Sequence, residues 1–470
     1  MNKSHLINIL RACSRKELRE LSKWLRSPAH NQRQDVVRLF DYLIEDDRLY
    51  KDAFLEKSNI FPWVHPKETF DDAKLRQTIY FFMKAMEEFL IYTEITQDEI
   101  YSKTALARVY RKKKLSRTFE KNMRLAQKLQ EKLPIRNGHH LRNEYLLQQE
   151  MYTYNSELKE RTTSFNLQEV SDALDATYIA DKLRQSCFIL AHQNVYQTQY
   201  EVGLLNDVLK YVEERDFLKI PAIAIYYYGY RAIQEKGNEH YFQHLKREIV
   251  QNGHLFPRAE IRDIYLMAIN YCIGQINAGV EAFIQAAFEL YREGFEQGVL
   301  IENNNVSRWT FLNAVINGLK LQEYDWVENF IHDNQIYLED NNRHSVVCYS
   351  KARLYYEKGD YDQSMHFINE AEYDDILINL NAKTILFKMY YEQEEYDALE
   401  SLLESIRNYL VRKKVMGYHK SNYQNIIRYT KKLLKANPYN QNQKIKLQEE
   451  IKAANPLTER EWLLEQVKTL

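Results

Sequence analysis

The chain has 470 residues, of which 45% are hydrophobic and 28% are charged. This length exceeds one compact core and predicts two or three domains, or else an extended array. The 65 Lys and Arg nearly balance the 66 Asp and Glu, so no global field attracts nucleic acid or an anionic membrane. A mean hydropathy of -0.60 argues against a membrane protein.

The chain is poor in the residues that make turns. It contains only 12 Gly and 8 Pro, whereas an all-β protein needs a turn signal every ~8–12 residues. Long helices with short connections need far fewer such residues, so the composition predicts an all-α fold. The 36 tyrosines fit this prediction, because tyrosine packs a ring between helices while its hydroxyl reaches water or a polar group.

Cysteine usage and the N-terminal sequence indicate the compartment. The four cysteines, Cys13, Cys187, Cys272 and Cys348, lie far apart and form no CxxC pair, which favours a reducing environment. The first 25 residues become charged before a signal-peptide core is complete, and no run of about 18 apolar residues follows. We therefore expect a cytoplasmic protein without a membrane partner.

Residues 1–140 are predicted to form an irregular helical region. Ser14 and Glu17 have the spacing of a capping box at the start of a helix. Thr96 and Glu99 have the same spacing and predict one long helix that ends near Leu133. From residue 141 to 436, helix-length apolar patterns follow one another with short polar breaks, which is typical of antiparallel neighbours.

An internal repeat organises this second region, most clearly over residues 308–411. The sequence "LYYEKGDYDQSMHFI" (354–368) aligns without a gap on "MYYEQEEYDALESLL" (389–403), at an offset of 35 residues. In this alignment Gly359 matches Glu394 and Tyr361 matches Tyr396. Tyr324 takes the same position one step earlier, and looser copies surround Gly237 and Gly279.

The period and the pattern of Tyr355, Gly359, Asp360, Tyr361 and Ala371 resemble the tetratricopeptide repeat (TPR). The resemblance implies a right-handed superhelix, or α-solenoid, of antiparallel helical hairpins. At position 364 this chain has serine, where that family usually has alanine. The stretch "LSKWLRSPAHNQRQDVVRLFDYL" is also similar to the start of an uncharacterised bacterial family of helical-repeat proteins, which implies no activity.

The TPR resemblance implies a candidate binding surface. In that family the first helix of each hairpin lines a concave groove, and a cation recurs here at one groove position with tyrosines beside it. Such groups suit a peptide, because the cation can hold a carboxylate and the rings can clasp side chains. The alternative is that they are only solvated polar positions. The predicted groove residues are Tyr227, Arg231, Tyr349, Arg353, Tyr356, Thr384, Lys388 and Tyr391.

A basic stretch gives a second functional hypothesis. Thirteen Lys or Arg and two acidic residues lie between Lys103 and Arg142, so residues 108–128 could form a helix that touches nucleic-acid phosphates. A solvated charged face is the alternative. The candidate contacts are Arg108, Arg111, Lys112, Lys113, Lys114 and Arg117.

Catalysis receives no support from motifs. The sequence has no GxxxxGK[ST], GxGxxG, GxSxG or HExxH. His240 and His244 are four residues apart, but without a third ligand at matching spacing they are interpreted as surface histidines. We expect no enzyme activity, no metal and no cofactor. The predicted function is a scaffold or adaptor that binds a protein or peptide along the concave face.

Residues 437–470 are predicted to be a polar connection followed by a capping helix. Thr458 and Glu461 have capping-box spacing, and Trp462, Leu463 and Val467 share one side of the helix that follows. Such a helix can cover the last exposed core of a solenoid. Trp462 could instead dock on a second copy of the chain, and the sequence leaves the oligomeric state open.

Overall fold

A computed structural model describes residues 1–2, 4–158, 164–196, 198–235, 237–412 and 417–470. Over these residues it contains 23 α-helices and five short 3-10 helices, and no β-strand beyond one isolated bridge between Glu302 and Asn305. The all-α prediction is confirmed. None of the described helices combines the length and the apolar character that crossing a bilayer requires.

The chain divides into two compact units, Met1–Lys182 and Leu183–Leu470. Two hydrophobic clusters fill the first unit, one built by α1–α5 and one by α6–α8. The helices that begin in this unit are α1 His5–Ala12, α2 Arg15–Arg26, α3 Gln34–Ile44, α4 Lys57–Val64, α5 Asp72–Gln97, α6 Glu99–Lys112, α7 Ser116–Lys132, α8 Gly138–Glu157 and α9 Leu167–Tyr196. Helix α8, which the sequence placed with the repeats, thus lies in the first unit.

The first predicted capping box is confirmed. The Ser14 hydroxyl accepts from the Glu17 amide at 3.2 Å, and the Glu17 carboxylate accepts from the Ser14 amide at 2.7 Å. The prediction at Thr96 is wrong, because Asp98 caps α6 by accepting from the Tyr101 amide at 2.8 Å. An aspartate two residues downstream competes for the same free amides, so α5 extends past Thr96.

The predicted continuous helix to Leu133 is also wrong. It is broken between α6 and α7 at Lys114, which has the left-handed φ of 58°. The amide of Leu115 then donates back to the Tyr110 carbonyl at 2.9 Å. This closes the end of α6 as a Schellman-type turn closes a helix.

The second unit is a succession of helix pairs. Contacts join α11 to α12, α13 to α14, α15 to α16, α17 to α18 and α19 to α20, and also α11 to α13, α15 to α17 and α17 to α19. Its helices are α10 Leu205–Glu214, α11 Pro221–Gln234, α12 Glu239–Asn252, α13 Arg258–Asn277, α14 Ala282–Glu296, α15 Arg308–Lys320, α16 Tyr324–Asn334, α17 Asp340–Glu357, α18 Tyr361–Glu370, α19 Ile376–Glu392, α20 Tyr396–Arg412, α21 Gly417–Leu434, α22 Gln441–Ala453 and α23 Arg460–Thr469.

The repeat aligned in the sequence has a structural counterpart in the turns of three hairpins. Gln322, Gly359 and Glu394 each precede the first tyrosine of a helix by two residues, and their φ values are 60°, 79° and 61°. In each turn the next amide donates to a carbonyl five residues earlier, at 3.0, 2.9 and 2.8 Å. Glutamine and glutamate therefore adopt the left-handed conformation that Gly359 adopts without steric penalty.

A pair of glycine substitutions tests this turn. Gly359 and Gly274 both have open space where a Cβ would lie, but only Gly359 has a positive φ, and Gly274 lies within α13. Gly359→Ala should lower the free energy of unfolding by about 1 kcal/mol because alanine strains the left-handed backbone. Gly274→Ala should raise it by about 0.5–1 kcal/mol because alanine favours the helix. Urea denaturation measures the free energy of unfolding of both variants. If the two substitutions change it in the same direction, the turn assignment is wrong.

Candidate protein-binding surface

Six of the eight predicted groove residues lie on two neighbouring helices, α17 and α19. Asp375 fixes the start of α19, because its carboxylate accepts from the amides of Leu377 and Ile378 at 2.8 and 3.1 Å. The structure brings the two sets of residues together across the helices: the Lys388 Nζ atom lies 5.7 Å from the centre of the Tyr356 ring.

None of the eight residues is fully exposed. Tyr227, Tyr349 and Thr384 are buried, and the other five are half-buried. The Thr384 hydroxyl bonds to the Leu380 carbonyl of its own helix at 2.9 Å. The expectation that Tyr227, Tyr349 and Thr384 face an open groove is therefore not met, because their helices pack closely on neighbours at these positions.

Arg353 sits deep in this region. Its guanidinium donates to the Tyr349 hydroxyl at 3.3 Å. Burial acts to lower the pKa of Arg353, but Tyr349 and the carboxylates of Glu459 and Glu357 outweigh it and raise that pKa. Arg353 therefore stays charged, and the acids that surround it belong to the chain itself.

Lys388 is paired with Glu459, which immediately precedes α23. Their side chains form a hydrogen-bonded ion pair and are only 14% and 21% exposed. Burial acts to raise the pKa of Glu459, but Lys388 and then Arg353 lower it below its ordinary range. The cation expected to capture a ligand carboxylate thus already holds one from the same chain.

Glu392 is the centre of a second set of contacts. Its carboxylate accepts hydrogen bonds from the Tyr356 hydroxyl at 2.8 Å, the Tyr361 hydroxyl at 2.6 Å and the Trp462 indole nitrogen at 2.6 Å. Burial and the bond to Glu392 raise the pKa of Tyr361 to about 12, and they raise the pKa of Tyr356 as well. Both phenols therefore remain donors.

Trp462 brings the C-terminal segment, residues 456–470, onto α19. Its ring packs edge-on against Phe387 and Tyr391, with centroids 5.4 Å away in each case. Leu463 and Val467 are fully buried. The helix thus packs on α19, and its expected role as the cap of a solenoid stays a prediction.

The capping box predicted at Thr458 is wrong. Helix α23 begins at Arg460, and Thr458 instead pairs with Asn422 of α21. Its amide donates to the Asn422 Oδ1 at 2.8 Å, and its hydroxyl accepts from the Asn422 Nδ2 at 3.0 Å. A side chain distant in sequence satisfies both groups, so Thr458 anchors the segment rather than capping the helix.

The upstream pair on α11 repeats this pattern of internal pairing. The Tyr227 hydroxyl donates to the Glu213 carboxylate at 2.6 Å, and Arg231 bonds to Glu213 and to Glu235. The bond from Tyr227 is the main cause of the lowered pKa of Glu213, and Arg231 adds to it. Arg231, the cation at the recurring groove position of this hairpin, thus also has acidic partners within the chain.

The basic stretch splits into paired and unpaired cations. Glu150 of α8 bonds to Arg108 at 3.3 Å and to Arg111 at 2.6 Å, and Arg111 also pairs with Glu157. Those two arginines stabilise the packing of α6 on α8. The remaining four candidates are exposed and have no ion pair with any described residue: Lys112, Lys113, Lys114 and Arg117.

His240 and His244 lie together on the exposed side of α12. Their Nε2 atoms are 3.2 Å apart, and the His244 ring stacks on Tyr228 with centroids 4.7 Å apart. Burial and the neighbouring His240 lower the pKa of His244. Among the described residues, no third ligand group joins this pair.

Sequence reasoning missed the acids that complete the surface, namely Glu213, Glu392 and Glu459. For Glu392 a signal existed, because it is the last residue of the second "YYE" in the aligned repeat. Tyr361, which the sequence shows only as part of the repeat pattern, also bonds to Glu392. No local pattern indicates Glu459, because its partners come from helices about 70 and 105 residues earlier in the chain.

Comparison of the chain with protein-family models, with curated proteins and with solved structures gives no match.

A double-mutant cycle tests whether Lys388 and Glu459 act as a pair. Lys388→Met or Glu459→Gln alone should destabilise the chain strongly, since each leaves a mostly buried partner uncompensated. The two substitutions together should cost less than their sum, with a coupling energy of about 1–3 kcal/mol. The exposed Lys23–Glu20 pair is the control and should give less than about 1 kcal/mol. Additive values from urea denaturation at Lys388 and Glu459 would contradict the pairing.

The lowered pKa of Glu459 predicts the direction of a pH effect. The folded state favours the ionised form, so the pair contributes fully above the ordinary carboxyl pKa and is lost as the pH falls through the folded value. Melting temperatures measured from about pH 6 to about pH 3 should fall more steeply for the natural chain than for Glu459→Gln. A constant gap between the two curves would show that this carboxylate does not respond to its neighbours.

Proposed function

We propose that this chain is a non-catalytic scaffold that binds a protein or peptide on the surface formed by α17 and α19. The observation that carries the proposal is the C-terminal segment itself. It lies on these helices with Glu459 bonded to Lys388 and Trp462 bonded to Glu392. The preferred ligand is thus a helical segment with a carboxylate three residues before a tryptophan.

The contacts have the character of a recognition site. Tryptophan and tyrosine are enriched among the residues that dominate binding energy, and Trp462 is 92% buried here. A helix that lays its apolar face in a groove while its polar groups fix the register is a common mode of peptide recognition. Lys388 and Glu392 fix the register of the bound helix, because Lys388 selects an acidic side chain and Glu392 selects an N–H donor.

The repeated turns support a TPR-like arrangement of the hairpins. Hairpins joined by equivalent turns and contacting through their first helices can stack as a right-handed α-solenoid. In that proposal α17 and α19 are successive first helices, so their shared surface belongs to the concave face. The proposed cytoplasmic location follows from the cysteine usage.

Binding of an external partner must compete with the tethered segment. A short tether gives the segment an effective concentration in the millimolar range, so an external ligand binds the intact chain weakly. Opening the segment should therefore reveal the binding surface.

The test uses a fluorescein-labelled peptide of residues 456–470 and the full-length chain. Trp462→Ala should open the tethered segment, and the labelled peptide should then bind saturably by fluorescence anisotropy. Binding to the natural chain should be at least tenfold weaker. Adding Lys388→Glu to Trp462→Ala should abolish binding, because the acidic ligand then meets a like charge.

Two controls make the result specific. Lys420 is exposed on α21, so Trp462→Ala with Lys420→Glu should bind as Trp462→Ala does. A peptide carrying Glu459→Lys and Trp462→Ala should not bind. If Trp462→Ala does not fold by circular dichroism, Glu459→Lys opens the segment instead by repulsion from Lys388. Absence of binding to a folded opened chain, or equal binding after Lys388→Glu, would show that the segment is only a structural cap.

No observation in the described structure favours the nucleic-acid alternative over this proposal. Arg108 and Arg111 already pair with acids of α8, which leaves four of the six candidate contacts exposed and unpaired among the described residues.

A further inference from the structure

The hairpin α17–α18 carries two pairs of metal-ligand side chains. His344 and Cys348 are four residues apart on α17, and His366 and Glu370 are four residues apart on α18. Side chains at this spacing lie on one face of a helix. Of these four residues, His344, Cys348 and Glu370 have their ligand atoms grouped, and His366 contacts that group through Glu370.

Distances between the ligand atoms support a common centre. The Cys348 Sγ lies 3.8 Å from the His344 Nδ1, and ligand atoms of His344, Cys348 and Glu370 all lie within 4.8 Å of one another. The His366 Nε2 lies 3.6 Å from the Glu370 Oε2. A tetrahedral zinc ion with bonds of about 2.0–2.3 Å requires ligand separations of about 3.3–3.6 Å, so small side-chain movements suffice for His344, Cys348 and Glu370, whereas His366 has to turn toward them.

The surroundings suit a metal that enters from solvent. Cys348 is 3% exposed, whereas His344, His366 and Glu370 lie at the surface and can rotate toward it. All four cysteines are free, so Cys348 has no competing disulfide. No sequence motif indicates this site, because its ligands come as one pair from each of two helices, with 17 residues between Cys348 and His366.

We propose that His344, Cys348, His366 and Glu370 bind one zinc ion. One thiolate, two imidazoles and one carboxylate form a mixed set that zinc accepts in tetrahedral geometry. Four protein ligands close the coordination sphere, so the site is structural rather than catalytic. The ion fixes α17 against α18, and it stabilises the folded chain in proportion to its binding.

The test uses the full-length chain after removal of metal with a chelator. Competition against a chromophoric zinc chelator should show one tightly bound zinc ion per chain, and zinc should raise the melting temperature. Cobalt(II) should give the visible bands of tetrahedral coordination together with a near-ultraviolet thiolate-to-cobalt charge-transfer band. Cys348→Ser should abolish that charge-transfer band.

The exposed ligands provide variants that should not disturb the fold. His344→Ala and His366→Ala should each weaken zinc binding at least tenfold. His244→Ala removes one member of the His240–His244 pair and should leave the stoichiometric binding unchanged. The proposal fails if zinc does not bind at one equivalent, if cobalt gives no thiolate band, or if His344→Ala binds zinc as tightly as His244→Ala.

Discussion

Glu392 accepts hydrogen bonds from three side chains that come from α17, α18 and α23, and the arrangement of the C-terminal part of the chain depends on this carboxylate. A carboxylate removed from water is costly unless donors replace the lost hydration. The donors here are two phenols and an indole, which bring large apolar rings with them. Satisfying one acid therefore also packs three aromatic side chains into the same place.

The same relation between acids and aromatic hydroxyls recurs in the second unit and gives a physical reason for the many tyrosines there. Glu260, only 7% exposed, accepts from the Tyr226 hydroxyl at 2.8 Å, and Glu213 accepts from Tyr227. A tyrosine can span two helices, bury its ring and still reach a carboxylate at the far side. Long tyrosine side chains thus join neighbouring helices in this unit.

The sequence predicted the helices and turns better than it predicted which distant side chains bond to one another. The shortage of turn residues indicated helices, and the offset of 35 residues aligned Gly359 with Glu394, which share a left-handed turn. These signals are local, because periodicity and turn chemistry are set by neighbouring residues. Arg353 and Lys388, predicted as groove cations, both act on the carboxylate of Glu459. Their charge partner, Glu459, could not be predicted, because only the folded chain brings it beside helices far away in sequence.

Internal pairing also determines what a competing ligand must offer. If a partner displaced the C-terminal segment without supplying a carboxylate, Lys388 would remain mostly buried without a counter-charge. If it lacked an N–H donor, the half-buried Glu392 would lose one of its three hydrogen bonds. An unsatisfied buried group costs about 1–3 kcal/mol, and more when the group is charged. Under the proposed function, we therefore expect a ligand that lacks either group to bind at least tenfold more weakly, and the segment that covers this surface to define the specificity of binding.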